Sequence, residues 1–125
     1  MEAIVATVIA VIAVMGLAYA FGLGRSFINA FEVRRVADMK AQGCMEWLGT
    51  LPSSSPDLSL STHPAQPFVF GGRTVGSMVW RVVSPTSAQV PASITGELRV
   101  VSVSVSWTLG GMADSVLYTR MVSAP

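Results

Sequence analysis

The chain has 125 residues, 51% of them hydrophobic and only 12% charged, with a net charge of +1. That length holds one domain rather than two, and so small a charge predicts no direct nucleic-acid or polyanion partner. The single Cys excludes an internal disulfide and leaves the redox compartment open.

The apolar excess lies at the N-terminus. Glu2 is followed by 22 residues, Ala3 to Gly24, without a charge. As a helix they reach roughly 33 Å, enough for a hydrocarbon core of about 30 Å. Val5, Val8, Ile9, Val11, Ile12 and Val14 leave no polar face, which suits lipid or a bundle of helices. A cleaved secretory signal would begin with basic residues and carry a shorter apolar run. Ala18-Tyr19-Ala20 offers a small-x-small site, but Met1-Glu2 is the wrong start. A 125-residue fold can hardly surround such a helix in a soluble core. A plain membrane anchor for an outside domain remains a competing reading.

Helix formers without proline continue through "SFINAFEVRRVADMKAQGCMEWLGTL". Val33, Ala37, Ala41, Cys44, Leu48 and Leu51 follow steps of three and four, one face of an α-helix. Arg34 and Asp38, four apart, are placed to pair weakly on another side. Phe27, Ile28 and Phe31 lie off that stripe and suit a different partner. Gly22 and Gly24 mark a junction at which the helix can bend or loosen. Gly49 and Pro52 predict the stop, so one helix runs from about residue 3 to 49.

"PSSSPDLSLSTHPAQP" then reads as a surface loop, with His63, the one histidine, a solvated loop residue. After it the period becomes two. "PFVF-GG-RTV" predicts two short strands around a Gly-Gly hairpin. In "SMVWRVV", Met78, Trp80 and Val82 share a face. "SPTSAQVPASITG" is a second loop. "ELRVVSVSVSWT" is the clearest strand: Val101, Val103, Val105 and Trp107 face one way, Ser102, Ser104, Ser106 and Thr108 the other. "LGGMAD" turns and "SVLYTRMV" returns as a last strand of weak alternation.

The predicted fold class is α+β. A three- or four-stranded antiparallel sheet buries Trp80, Val103 and Trp107 beneath the amphipathic half of the helix. Three segments follow: residues 1–24 as a membrane or filament-core half-helix, 25–50 as its amphipathic half, and 51–125 as loop plus sheet.

This organisation, with Glu2 before "AIVATVIAVIAVMGLAYA", resembles the type IV pilin-like proteins: pilins, minor pilins and the pseudopilins of type II secretion. The resemblance covers nearly the whole chain. "MKAQGCMEWLGTLP" is similar to the stretch that ends the helix in minor pilins, and "VSVSVSWTLGG" to their sheet end; both are weak by themselves. The family's precursors carry a short basic leader ending in Gly, and the mature chain starts Phe-Thr/Ser-Leu-x-Glu. Neither stands before Glu2 here, which implies a precursor that begins upstream. A basic leader would also restore positive charge to the inner side, since Arg25, Arg34 and Arg35 lie on the outer one.

The resemblance implies a structural, minor subunit of a pilus or pseudopilus, not an enzyme, and no cofactor. Its partners would be other pilin-like subunits, a prepilin peptidase that cleaves and methylates the N-terminus, an inner-membrane assembly platform and the lipid bilayer. The globular part would be extracytoplasmic. Glu2 would act in assembly, and Val5, Ile9, Ile12, Gly16, Phe27 and Phe31 would pack the filament core. The alternative is a bitopic anchor displaying a small β-domain as a binding surface.

Nothing in the chain favours catalysis. His63 and Cys44 have no second His or Cys to make a metal site. Asp57 and Asp114 read as turn residues. Gly71-Gly72 and Gly110-Gly111 suit turns and lack a phosphate-loop context.

Overall fold

The computed structural model describes residues 2–86 and 98–123. The second loop foreseen in the sequence lies mostly outside them. Helix α1 spans Glu2–Thr50, and four strands follow: β1 Gln66–Phe70, β2 Arg73–Val83, β3 Leu98–Leu109 and β4 Met112–Ser123. They form one antiparallel sheet in the order β1-β2-β3-β4. This is the α+β arrangement that the two periodicities imply. The chain divides into two compact units, Met1–Val33 and Arg34–Pro125.

From Glu2 to Val33 the backbone is helical throughout, including Gly22 and Gly24. No residue from Glu2 to Glu32 is buried. The Thr7 hydroxyl donates to the Ala3 carbonyl at 2.7 Å, so this polar group satisfies itself within the helix.

In the second unit the helix ends where sequence places its stop. The Thr50 hydroxyl donates to the Trp47 carbonyl at 2.7 Å, and Leu51 N–H reaches Leu48 O at 3.4 Å, before Pro52 forbids another turn. Ala37, Ala41 and Leu48 are fully buried, and so is Val33, the last residue of the first unit. Met45 is buried beside them while Cys44 is half-buried, so the inward stripe is turned slightly from the one read in sequence.

The sheet's inner face is the alternating set of β3. Val101, Val103 and Val105 are wholly buried and Trp107 nearly so. Register sets Val82 opposite Val101, Trp80 opposite Val103 and Met78 opposite Val105. A single eleven-residue strand, β2, contains what reads in sequence as two short pieces, because Gly76 does not interrupt the ladder. Both hairpins have two-residue loops, and Gly71, Gly72, Gly110 and Gly111 all take positive φ, between 57° and 80°. Such type I′ geometry matches the twist of the flanking strands and demands φ > 0 at both central positions.

Gly76 has a separate reason. It lies between Phe68 of β1 and Trp107 of β3 in the ladder, beside a register shift at Phe68/Val69. A Cβ there would overlap the Ser106 carbonyl oxygen. With no side chain at Gly76, the Phe68 and Trp107 rings approach to 6.1 Å across it.

The segment after α1 differs from the solvated loop expected. Pro56–Leu58 form a 3-10 turn, and Leu58 is buried. His63 is buried too, stacked on Trp80 with ring centroids 5.1 Å apart and planes 11° from parallel. Its N–H donates to Trp80 O at 3.0 Å, Val82 N–H donates to Ser61 O at 3.0 Å, and Thr62 bridges to Arg81. The Trp80 indole N–H donates to Asp57 O at 3.2 Å. Arg99 from β3 donates to the Ser53 carbonyl at 3.2 Å and the Leu58 carbonyl at 2.5 Å. The segment is thus a strap bound to β2 and β3.

Candidate functional site

The residues assigned to assembly all lie on the Met1–Val33 unit. Glu2 occupies the first turn of α1, where a carboxylate meets the positive end of the helix dipole, worth about 0.3–1 kcal/mol. Val5, Ile9, Ile12 and Gly16 follow steps of four, three and four, so they share one helix face. Val5, Ile9 and Ile12 are more than half exposed, and Gly16 has open space where a Cβ would be. Phe27 and Phe31 are also exposed, one turn apart. No side chain of the described residues covers this apolar surface, and it is long and apolar enough to cross a membrane. Burying a Val, Leu, Ile or Phe side chain is worth about 1.5–3 kcal/mol. Left in water, the whole segment would forfeit that many times over.

The Arg34–Pro125 unit offers a second surface. A half-open groove of about 390 Å³ is walled by Met39, Lys40, Cys44 and Trp47 of α1 and by Met78 and Trp80 of the sheet, with Gly43 and Gln66 completing it. Trp47 meets Trp80 edge-on at 6.2 Å. Gly43 has nothing within 4 Å of a Cβ position, so the helix leaves the groove open there. Partial burial pushes the Cys44 thiol above the ordinary value, because desolvation disfavours the thiolate. Lys40 forms no ion pair among the described residues.

On the other side of α1 the polar groups are engaged. The Tyr118 hydroxyl of β4 donates to Asp38 Oδ1 at 3.2 Å and lies 3.5 Å from Gln42 Nε2. Arg34 reaches Asp114 at 3.9 Å. The weak Arg34–Asp38 pair expected within the helix is therefore replaced by two contacts to β4. Asp114, expected in a turn, is in strand β4 opposite Trp107 and accepts a hydrogen bond from the Ser115 N–H at 2.8 Å. Sequence reasoning missed the groove altogether. Its walls come from α1, β1 and β2, and only the exposed Trp47, off the buried stripe, hinted at it.

Among the described residues no group of three His, Cys, Asp or Glu side chains is placed to hold a metal. Compared with known proteins, the chain matches no family model, no curated sequence and no solved structure.

Proposed function

We propose that the chain is a minor structural subunit of a type IV pilus or type II secretion pseudopilus, held in the inner membrane as a single span before it enters a helical filament. One observation carries the reading. A helix with an acid in its first turn and 22 uncharged residues behind it exposes every side chain of its apolar half, then becomes amphipathic where a four-stranded antiparallel sheet covers it. A bilayer satisfies that apolar half before assembly, and neighbouring apolar helices satisfy it afterwards.

In this scheme a prepilin peptidase removes a leader and methylates the new N-terminus, and an assembly platform lifts the subunit from the bilayer. Glu2 sets the register of incorporation. A carboxylate within hydrocarbon costs about 2.5–3.5 kcal/mol on insertion scales. A neighbour's α-amino group neutralises it in one axial register, and any other register leaves the charge alone.

The test is Glu2→Ala in the native host. The variant should keep its membrane level and a folded sheet unit while disappearing from sheared filaments. Normal incorporation would count against the role of Glu2. The plain-anchor reading predicts the chain in membranes only, and no in-frame basic leader with a Gly-Phe cleavage motif in the DNA upstream.

A further inference from the structure

The groove between Trp47 and Trp80 is large enough to take an aromatic side chain. An apolar cavity of about 150 Å³ already takes up benzene, and this groove offers about 390 Å³. Its walls are two indoles, two thioethers and a thiol, with one ammonium, Lys40, among them. That cation has no partner on its own helix: the residues three and four away are Val36, Ala37, Gly43 and Cys44. The acids of the same unit nearest in sequence are Asp38, which accepts from Tyr118, and Glu46. The groove therefore asks for an apolar body with a carboxylate beside it.

The chain carries such a feature on its other unit. Ile28, Phe31 and Glu32 stand at i, i+3 and i+4, so they form one patch on the helix surface. Ile28 is 62% and Phe31 72% exposed, which makes Phe31 one of the most exposed large apolar side chains among the described residues. Glu32 is exposed and forms no ion pair among the described residues.

We propose that Phe31, instead of packing the helical core of the filament, enters the Met39–Trp80 groove of a second copy, with Glu32 beside it paired to that copy's Lys40. The inference rests on the filament-subunit reading and names one of its contacts. Groove and knob are different surfaces, so the contact is heterologous. Where copies are consecutive, a heterologous contact repeats head to tail, giving an open filament or, if its rotation closes, a ring, and not an isologous dimer. The aromatic anchor supplies the buried centre of the interface, and the charge pair fixes its orientation.

Cys44, the only cysteine, lines the groove and serves as the reporter. Phe31→Cys is expressed in full-length chain in assembling cells, oxidised with diamide, and run on non-reducing gels. The expected result is a ladder of dimers, trimers and longer species that vanishes in Phe31→Cys/Cys44→Ser. In parallel, Lys40→Glu should lower recovery in sheared filaments about tenfold or more, the cost of a like-charge contact. Adding Glu32→Lys should restore it.

If the wild-type chain is recovered in filaments but no ladder forms and the charge variants assemble normally, the contact is overturned and the subunit reading stands. Crosslinks that join Cys44 to Cys44, or Cys44 to a different protein, also overturn it. A wild-type chain that never leaves the membrane overturns the subunit reading and this contact with it.

Discussion

Gly76 illustrates how one missing side chain organises its surroundings. Phe68 and Trp107 meet across it, and a methyl group there would strike the Ser106 carbonyl oxygen. That atom belongs to backbone held in the β2–β3 ladder and cannot swing away. Gly76→Ala should therefore destabilise by about 2 kcal/mol or more, at the upper end of overpacking costs. Thermal unfolding of the full chain in detergent, followed by tryptophan fluorescence, measures this, and an unchanged midpoint would contradict the close approach. Cys44 gives a second prediction. Burial raises its thiol pKa, so the neutral form is favoured in the folded state. Thiolate is the reactive species. Alkylation by iodoacetamide should thus be slower than for the unfolded chain at the same pH, and its rise with pH should be displaced to higher pH. The same shift contributes stability that is fully present below the unfolded thiol pKa and is lost as pH rises through the folded one.

The strap of residues 51–65 is the element whose sequence misleads most. Pro, Ser and Thr dominate it, as in a solvated loop, yet it is bound down at Leu58, Asp57 and His63. Arg99 holds two of its carbonyls. Hydrogen bonds from a charged donor are worth about 1.5–3 kcal/mol in sum of effects on stability. Arg99→Met should cost about 2 kcal/mol and expose the strap: limited proteolysis should cut between Leu51 and Ala65 at protease levels that leave the wild type intact. Equal resistance would show that the strap is held without Arg99. Trp80→Phe keeps a ring against His63 but removes the indole N–H that serves Asp57 O, and should cost about 1 kcal/mol for that bond with a further cost for the space left in the core.

At the scale of the molecule, two surfaces of different polarity share one chain. The segment from Glu2 to Glu32 has no buried residue, whereas the sheet unit encloses a core of Phe68, Trp80, Trp107 and the β3 valines. Val11→Arg should act on the first alone. An arginine at the centre of a span costs about 2.5–3.5 kcal/mol on insertion scales. The fraction of the chain that resists alkaline extraction from membranes should fall severalfold, while the fluorescence of the folded sheet unit stays as in wild type. A variant that remains membrane-embedded would show that this segment does not use lipid as its solvent.

By itself the sequence determined whatever rests on periodicity and on glycine. The helix was legible to within one residue at each end, because a span without charges, a three-four stripe and Gly49 with Pro52 are local signals. The β3 faces were legible from strict alternation, and both hairpin loops from Gly-Gly pairs that tolerate positive φ. Tertiary structure alone decided the side-chain partnerships. Arg34 turns from Asp38 to Asp114, and Asp38 takes Tyr118, because a strand packed alongside offers acceptors and donors that no helical spacing reveals. His63 is buried, although its neighbours are those of a loop, since Trp80 supplies a ring to stack on and a carbonyl to bond. The groove is of the same kind: Trp47 and Trp80 are 33 residues apart in sequence, and only folding sets one against the other. Period and turn chemistry are properties of neighbours in the chain, whereas partners and grooves are properties of neighbours in space.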